Sequence, residues 1–405
     1  MNFNQFNLDS RLEAGINKAG YSAPTPIQKE VINIAMSGQD LIGTAQTGTG
    51  KTAAFVLPIL HKLLVDRHKY ATVLIVTPTR ELAEQIKQHI DMLQYKTGIR
   101  SATVYGGVSA PSQIKALRRG VDIIVACPGR LLDLINQGYA KLDRINVLVL
   151  DEADRMLDMG FLPDIKRILS YLPKKRQTML FSATFPREIE ALAKQVLHNP
   201  RKVAIGISRP AHTVSHALFP VSQHLKAKLL LKILEHTDTN SVLIFTRTKY
   251  RAKSLAKKIS DKNYTVTSIH SNRSQPQRQA ALKGFKDGTY HIMVATDIAA
   301  RGLDVENISH VINFDIPATA DDYIHRIGRT GRAEKSGDAF TLTTPEDEDM
   351  IKKLEKIIGD KIPREKLEDF DYNSPKPQHI QRPRKVGNQG RKSKFRPGSA
   401  KSRKF

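Results

Sequence analysis

Short runs of Val, Ile and Leu recur along the chain, each followed by a polar turn and then by apolar positions at helical spacing. These runs are continuous and not alternating, which is how strands buried on both faces read in a parallel sheet. A first set comprises TVLIVTP (72–78), VDIIVACP (121–128), INVLVLDEAD (145–154) and QTMLFSAT (177–184), preceded by a shorter apolar stretch at 41–43. A second set comprises SVLIFTRT (241–248), YTVTSIH (264–270), HIMVATD (291–297), HVINFDIP (310–317) and DAFTLTTP (338–345). Strands alternating with helices predict right-handed βαβ units, and hence an α/β chain with two tandem doubly wound parallel sheets. Between the sets, GISRPAHTVSHA (206–217) has no clear period and contains Pro210, so it reads as a linker. The expected organisation is a first domain over 1–205, a linker over 206–218, a second domain over 219–366 and a tail over 367–405. The tail dissolves into Pro, Gly, Ser, Gln and basic residues, with too little apolar surface to fold, and is expected to be disordered.

A length of 405 residues suits two domains, and the 40% apolar share is enough for two cores. No apolar run reaches membrane-spanning length and no leader is visible, so a cytoplasmic protein with no membrane partner is expected. A single cysteine, Cys127, excludes an intrachain disulfide and a cysteine-based metal site, and it is expected as a small buried hydrophobe. The 64 Lys and Arg against 40 Asp and Glu give a net charge of +24, which favours a polyanionic partner and puts nucleic acid first. Residues 374–405 carry eleven Lys or Arg and no acid, and the remainder still carries +13. Such a tail holds nucleic acid in a salt-sensitive, sequence-tolerant way.

The unusual polar residues sit just after the apolar runs, at the carboxyl ends of the strands, where open α/β sheets bind their ligands. AQTGTGKT (45–52) lies between a short apolar stretch and a helical pattern. Its glycines, Gly48 and Gly50, allow backbone N–H groups to wrap phosphates; Lys51 adds a cation and Thr52 a hydroxyl for Mg²⁺. The rest of the loop is Ala45, Gln46, Thr47 and Thr49, with Ala45 standing where the usual pattern begins with Gly. The run INVLVL leads directly into Asp151-Glu152-Ala153-Asp154. Alone, that string reads as a strand end followed by a helix cap. Paired with the loop, it supplies Asp151 to hold Mg²⁺ and Glu152 as general base toward an attacking water.

DEAD at 151–154, with AQTGTGKT before it and SAT at 182–184 after it, resembles the DEAD-box family of RNA helicases, most like its bacterial RhlE-type branch. The likeness runs over roughly residues 3–366 and implies two RecA-like domains, with ATP and Mg²⁺ as cofactors and RNA as partner. GYSAPTPIQ (20–28) resembles the family's adenine-recognition segment. By that resemblance Gln28 bonds the adenine edge, Tyr21 packs on the base, and Phe3, seventeen residues before Gly20, supports the segment. VATDIAARGLDV (294–305) and YIHRIGRTGR (323–332) resemble two later family segments. They imply Gly302 and Asp304 on the ribose side of the nucleotide, and Arg329 and Arg332 as arginine fingers on the γ-phosphate. His325 is implied to connect to Asp154 and to the Ser182 to Thr184 turn. If this last segment is helical, His325, Arg329 and Arg332 share one face, although Gly328 and Gly331 weaken that expectation.

The same resemblance implies an RNA surface of Arg80 in PTRELA, Gly107 and Arg130 in the first domain. In the second it implies Thr246, Arg247, Gln275, Arg278 and Thr296. Contacts of this kind hold the sugar-phosphate backbone and carry little sequence information. Cys127 departs from the family's usual Thr, which removes a hydroxyl that could bond the backbone or cap a helix, and Ser271 replaces a frequent Gly. The expected activity is ATP-driven local unwinding of short RNA duplexes, with ribosomal precursors or the RNA-decay machinery as the wider setting. A DNA translocase and an ATP-switched, non-catalytic RNA clamp or annealing protein are the rival readings.

Overall fold

The computed structural model describes residues 2–45, 48–205, 214–238, 240–300, 305, 308–330 and 337–376. Residues 1–370 form a folded body and 371–405 a separate unit.

The first sheet has seven strands: β1 Leu41–Thr44, β2 Val73–Val76, β3 Ser101–Val104, β4 Ile123–Ala126, β5 Val147–Leu150, β6 Gln177–Ser182 and β7 Arg201–Ala204. Their order is β3-β4-β2-β5-β6-β1-β7 and every pairing is parallel. Alternation sorts their side chains onto two faces. Val73, Ile75, Val125, Val149 and Phe181 pack against the helices Pro26–Met36, Lys51–Val65 and Arg80–Leu93. Leu74, Val76, Ile124, Leu148 and Leu180 pack against the helices Pro128–Asn136, Leu162–Ser170 and Arg187–Val196. Both faces are covered, so the runs read as unbroken apolar sequence. Each such side chain contributes about 1.5 to 3 kcal/mol on burial.

The second sheet has six strands: β8 Val214–Pro220, β9 Val242–Thr246, β10 Val266–Ile269, β11 Ile292–Thr296, β12 His310–Asn313 and β13 Gly337–Thr343. Their order is β10-β11-β9-β12-β13-β8, again all parallel. Two α/β sheets in tandem are what the apolar runs predict. Lys226 is buried among the strand ends here, donating to the carbonyls of Phe314 (3.3 Å) and Leu342 (2.8 Å).

The expected linker needs correction at its end. Residues 206–213 lie outside the described residues, but 214–218 belong to β8, in register with β13 from Val214 opposite Gly337 to Pro220 opposite Thr343. Val214, Ala217 and Leu218 are buried, and Ser215 is exposed, as befits an edge strand. The free side of β8 meets the chain beyond the last helix, Glu348–Ile358. Leu218 N–H donates to Pro363 O (2.8 Å), and Glu365 N–H donates to Leu218 O (2.8 Å). Residues 367–370, expected in the tail, remain with the body: Asp369 pairs with Lys232 (2.8 Å) and His236 (3.1 Å). The expected disorder of the rest falls largely on 377–405, outside the described residues.

Candidate functional site

The loop after β1 leaves the sheet with Ala45 N–H donating to Ser182 O (3.2 Å), which ties it to the neighbouring strand β6. Gly48 (φ 82°) and Gly50 (φ 91°) adopt left-handed conformations, and Gly50 caps the Lys51–Val65 helix. A Cβ on Gly50 would lie 2.5 Å from Nε2 of Gln28 and 3.0 Å from Oγ1 of Thr25, so glycine is required by space as well as by φ. Gln28 is buried at the third position of its helix. Its Oε1 accepts from Thr25 N–H (2.9 Å) and its Nε2 donates to Gly50 O (3.2 Å). The amide therefore links the upstream segment to the loop, and retains one N–H and one lone pair for a ligand. Phe3 stacks on Tyr21 with ring centroids 5.8 Å apart and planes 22° from parallel. Lys51 is buried with Nζ donating to Ala45 O. Burial pushes its ammonium pKa down, against the opposing charges of Asp151, Glu152 and Asp154.

Across the loop, β5 delivers Asp151 with its N–H bonded to Val76 O (2.9 Å). Burial, then the charge of Glu152, push the Asp151 carboxyl up to about 7, with Lys51 opposing. Glu152 sits at φ 53° and ψ 52°, a conformation L residues adopt at a cost of about 1 to 2 kcal/mol. Its Oε2 accepts from Arg155 Nη1 (3.0 Å), and both side chains are buried. Asp154 faces the other way. Its Oδ2 accepts from Ala183 N–H (3.1 Å), Thr184 N–H (2.7 Å) and Thr184 Oγ1 (3.0 Å), while its own N–H donates to Ser182 Oγ (3.2 Å). Burial raises the Asp154 carboxyl, but these bonds and the nearby Arg155 hold it below its usual value.

The second domain meets this cluster. His325, on the Ala320–Ile327 helix, lines a small cleft with Arg155 of the first domain and with Phe245, Asp297 and Arg329 of the second. Burial, then the positive charge of Arg155, push its imidazole pKa down to about 3, with Asp154 opposing, so the ring is neutral. The helix stops at Gly328, so Arg329 does not continue the helical face that carries His325. Arg329 follows in a turn, its N–H donating to Arg326 O (3.2 Å), and is buried toward the cleft. Arg326, which sequence reasoning passed over, is the fixed cation here. It bonds both oxygens of Asp297 (2.6 and 2.7 Å), Asn313 Oδ1 (2.9 Å) and Asp315 O (2.8 Å). Gln46, Thr47, Gly302, Asp304 and Arg332 lie outside the described residues.

The RNA candidates of the first domain share the carboxyl edge after β2, β3 and β4, adjacent strands. Arg80 opens a helix capped by Thr79, whose Oγ1 accepts from Leu82 N–H (3.2 Å), and its guanidinium lies over Gly107 (φ 75°). Arg130 Nη2 donates to Val108 O (3.2 Å), while its buried Nη1 has no hydrogen-bond partner within the protein. Cys127 caps the Pro128–Asn136 helix with no side-chain bond, so the missing hydroxyl is missing where a cap belongs. Burial pushes its thiol up to about 12, in keeping with a buried hydrophobe.

In the second domain Thr246 and Thr296 stand opposite each other at the ends of β9 and β11, and Arg247 is exposed beside them. Gln275 Nε2 (3.1 Å) and Arg278 Nη2 (3.2 Å) both reach Glu81 Oε1 of the first domain. Glu81 and Arg155, like Arg326, are residues the sequence reading missed, although each lies in or beside a recognised segment. No group of three or more His, Cys, Asp or Glu suited to a resident metal occurs among the described residues. Thr52 and Asp151 are hard oxygen donors of the kind that fit a cation arriving with a nucleotide.

Residues 25–192 match the family model for DEAD/DEAH box helicases, and residues 225–334 match the helicase conserved C-terminal domain. The ATP-dependent RNA helicase vasa of Drosophila melanogaster is 43% identical over 365 residues, which are 87% of this chain and 55% of that protein. This chain thus spans only about half the length of vasa. The RNA helicase CrhR of Synechocystis sp. is 46% identical over 345 residues, 85% of this chain and 70% of that protein. Among solved structures, S. cerevisiae Dbp5 bound to RNA and ADP BeF3 superposes with a TM-score of 0.80 at 28% identity, covering 90% of this chain and 95% of that one. The likeness extends over both sheets, each of which has the RecA-like architecture. No helix among the described residues is long and apolar enough to cross a membrane.

Proposed function

Since the chain belongs to the DEAD-box family of ATP-dependent RNA helicases, we propose that its two domains close on ATP and an RNA backbone, separate short duplexes locally, and reopen once ATP is hydrolysed. The observation that carries this reading is the Asp154 cluster. The Asp154 carboxylate holds the 183–184 turn, Glu152 accepts from Arg155, and Arg155 lines one cleft with His325 of the second domain. Nucleotide chemistry and domain closure thereby share one set of contacts.

In the closed state Phe3, Tyr21 and Gln28 hold the base, Gly302 and Asp304 the ribose, and the 45–52 loop the phosphates. Magnesium bound with ATP would be held by Thr52 and Asp151 and would neutralise charge on the phosphate oxygens. Glu152, oriented by Arg155, takes the proton of the attacking water. Arg329 and Arg332 stabilise the charge that develops on the transferred group. Because the arginines reside on the second domain, turnover is conditional on closure. Arg80, Gly107, Arg130, Thr246, Arg247, Gln275, Arg278 and Thr296 hold the sugar-phosphate backbone and leave the bases unread. A compact body with a basic tail supports assignment to the bacterial RhlE-type branch, in the cytoplasm, acting on ribosomal precursors or in RNA turnover.

The test is ATP hydrolysis with and without single-stranded RNA, beside single-stranded DNA and the Glu152→Gln variant. Strong stimulation by RNA alone, abolished by the substitution, is the expected result. Equal stimulation by DNA would remove the RNA assignment, and binding of both ligands without turnover would replace the helicase by a clamp.

A further inference from the structure

The chemistry described so far lies on the carboxyl edges of the two sheets. The opposite edge of the first sheet is built from the loops that enter its strands. The loops entering β3, β4, β2, β5 and β6 are residues 94–100, 119–122, 66–72, 137–146 and 171–176, and these five strands are consecutive in the sheet. Together the loops carry ten Lys or Arg, nine of them exposed, and three Asp. The three acids do not cancel this surplus. Asp122 is buried and consumed by Arg67 (3.0 Å) and by the backbone N–H of Arg100 (2.7 Å); Asp143 lies 3.8 Å from Arg144 and Asp66 3.3 Å from His68. With strands about 4.8 Å apart, the outer loops stand about 19 Å from each other, a row long enough to follow several phosphates.

The described loops of the second sheet supply an internal control, because those entering β9, β10 and β11 form no such row. These loops, at 236–241, 261–265 and 287–291, hold one Lys and three Asp. A solubilising surface common to both domains would have been basic on both edges. The first-domain row is also fixed in place. Tyr70, 37% exposed, stacks on His68 at 5.1 Å with planes 3° apart, and the Arg144 guanidinium lies 4.4 Å from its ring centroid. That stack joins the loop entering β2 to the loop entering β5, which are neighbouring strands.

We infer that this edge is a second RNA-binding surface, a phosphate-backbone track remote from the ATP side, which holds RNA outside the segment gripped between the domains. The inference rests on the reading of the chain as an RNA-binding enzyme. Its specificity is for charge and spacing and not for bases, as with other backbone contacts.

The test uses the full chain carrying Lys69→Gln, Lys141→Gln, Lys174→Gln and Lys175→Gln, all exposed positions. A control of equal charge carries Lys257→Gln, Lys258→Gln, Lys352→Gln and Lys353→Gln on the second domain, also exposed. Affinity is measured over a salt series for a long single-stranded RNA and for a short oligonucleotide that fills only the carboxyl edge. RNA-stimulated ATP hydrolysis is followed with the short one. The expected result is about tenfold weaker binding of the long RNA by the first variant, with a salt slope shallower by about 2 to 3. Its short-oligonucleotide affinity and turnover stay at wild-type values, and the control changes far less. Wild-type affinity and slope for long RNA in the first variant would overturn the inference and leave the helicase reading standing. Equal losses in both variants, or equal losses for both RNA lengths, would overturn it too by showing that position is irrelevant. Absence of RNA binding by the wild-type chain would bring down the functional reading together with this one.

Discussion

Alanine at position 107 would place a methyl carbon 2.0 Å from Nη1 of Arg80 and an L side chain at φ 75°. The guanidinium has to move, and the loop takes on strain of about 1 to 2 kcal/mol. Gly107→Ala is therefore expected to weaken RNA binding at least about tenfold while leaving ATP affinity unchanged, because Arg80 and Gly107 are far in sequence and topology from the 45–52 loop. Titration of both ligands into the variant checks this. His325 gives a pH dependence whose sign follows from its surroundings. Its folded value near 3 lies below the ordinary value of about 6.5, under burial, the cations Arg155 and Arg329, and the weaker opposition of Asp154 and Asp322. The neutral ring thus contributes stability that is fully present above pH 6.5. That stability is lost as pH falls from 6.5 toward 3, because the unfolded chain binds a proton the folded one does not. Denaturant unfolding between pH 7 and pH 5 is expected to show the loss, at most about 1.4 kcal/mol per pH unit, and His325→Asn is expected to flatten the slope.

At the scale of elements, legibility in the sequence followed burial. β2, β4, β5, β9 and β11 are buried at every position, and each stands out as an unbroken apolar run. β3 shows only Ala102 and Val104 to the core, β7 only Val203, and β8 lies at an edge, so none of the three presents such a run and none was expected. The helix carrying His325 ends where Gly328 weakens the helical pattern, since glycine costs about 1 kcal/mol in a helix interior. The 45–52 and 151–154 segments stand out in the sequence because each is contiguous and follows a strand directly. The bridge from Glu81 to Gln275 and Arg278 was not, because it joins helix starts nearly two hundred residues apart. The bridge is also the element-scale test of closure. Glu81 and Arg278 are both largely buried, and Gln275 Oε1 and Arg278 Nε have no hydrogen-bond partner within the protein. Glu81→Gln and Arg278→Gln are each expected to lower RNA-stimulated turnover. The double variant is expected to lose less than the two losses combined, by a coupling of about 0.5 to 3 kcal/mol in a double-mutant cycle on kcat/KM. Strict additivity would mean that the bridge plays no part in the closed state.

For the whole molecule, the two domains have separate cores but, on the proposed reading, one catalytic constellation. Both clusters flanking the first sheet draw only on residues up to 205, and those of the second sheet on residues from 214 onward. Each domain therefore has the buried apolar surface to fold alone. Lys51, Asp151 and Glu152 belong to the first domain, and His325 and Arg329 to the second. Residues 1–205 expressed alone are expected to bind ATP through the loop and Gln28 yet to hydrolyse it at no more than about 1% of the RNA-stimulated rate of the intact chain, for want of the arginines, whose loss typically costs a thousandfold or more. Adding residues 206–405 as a second polypeptide is expected to restore little at micromolar concentrations. A short linker presents one domain to the other at an effective concentration in the millimolar range, which a free mixture does not reach. Restoration that grows linearly with the concentration of the added half, and only in the presence of RNA, would place the value of the single chain in closure. Full turnover by residues 1–205 alone would instead place all the chemistry in the first domain and leave Arg329 without a catalytic part.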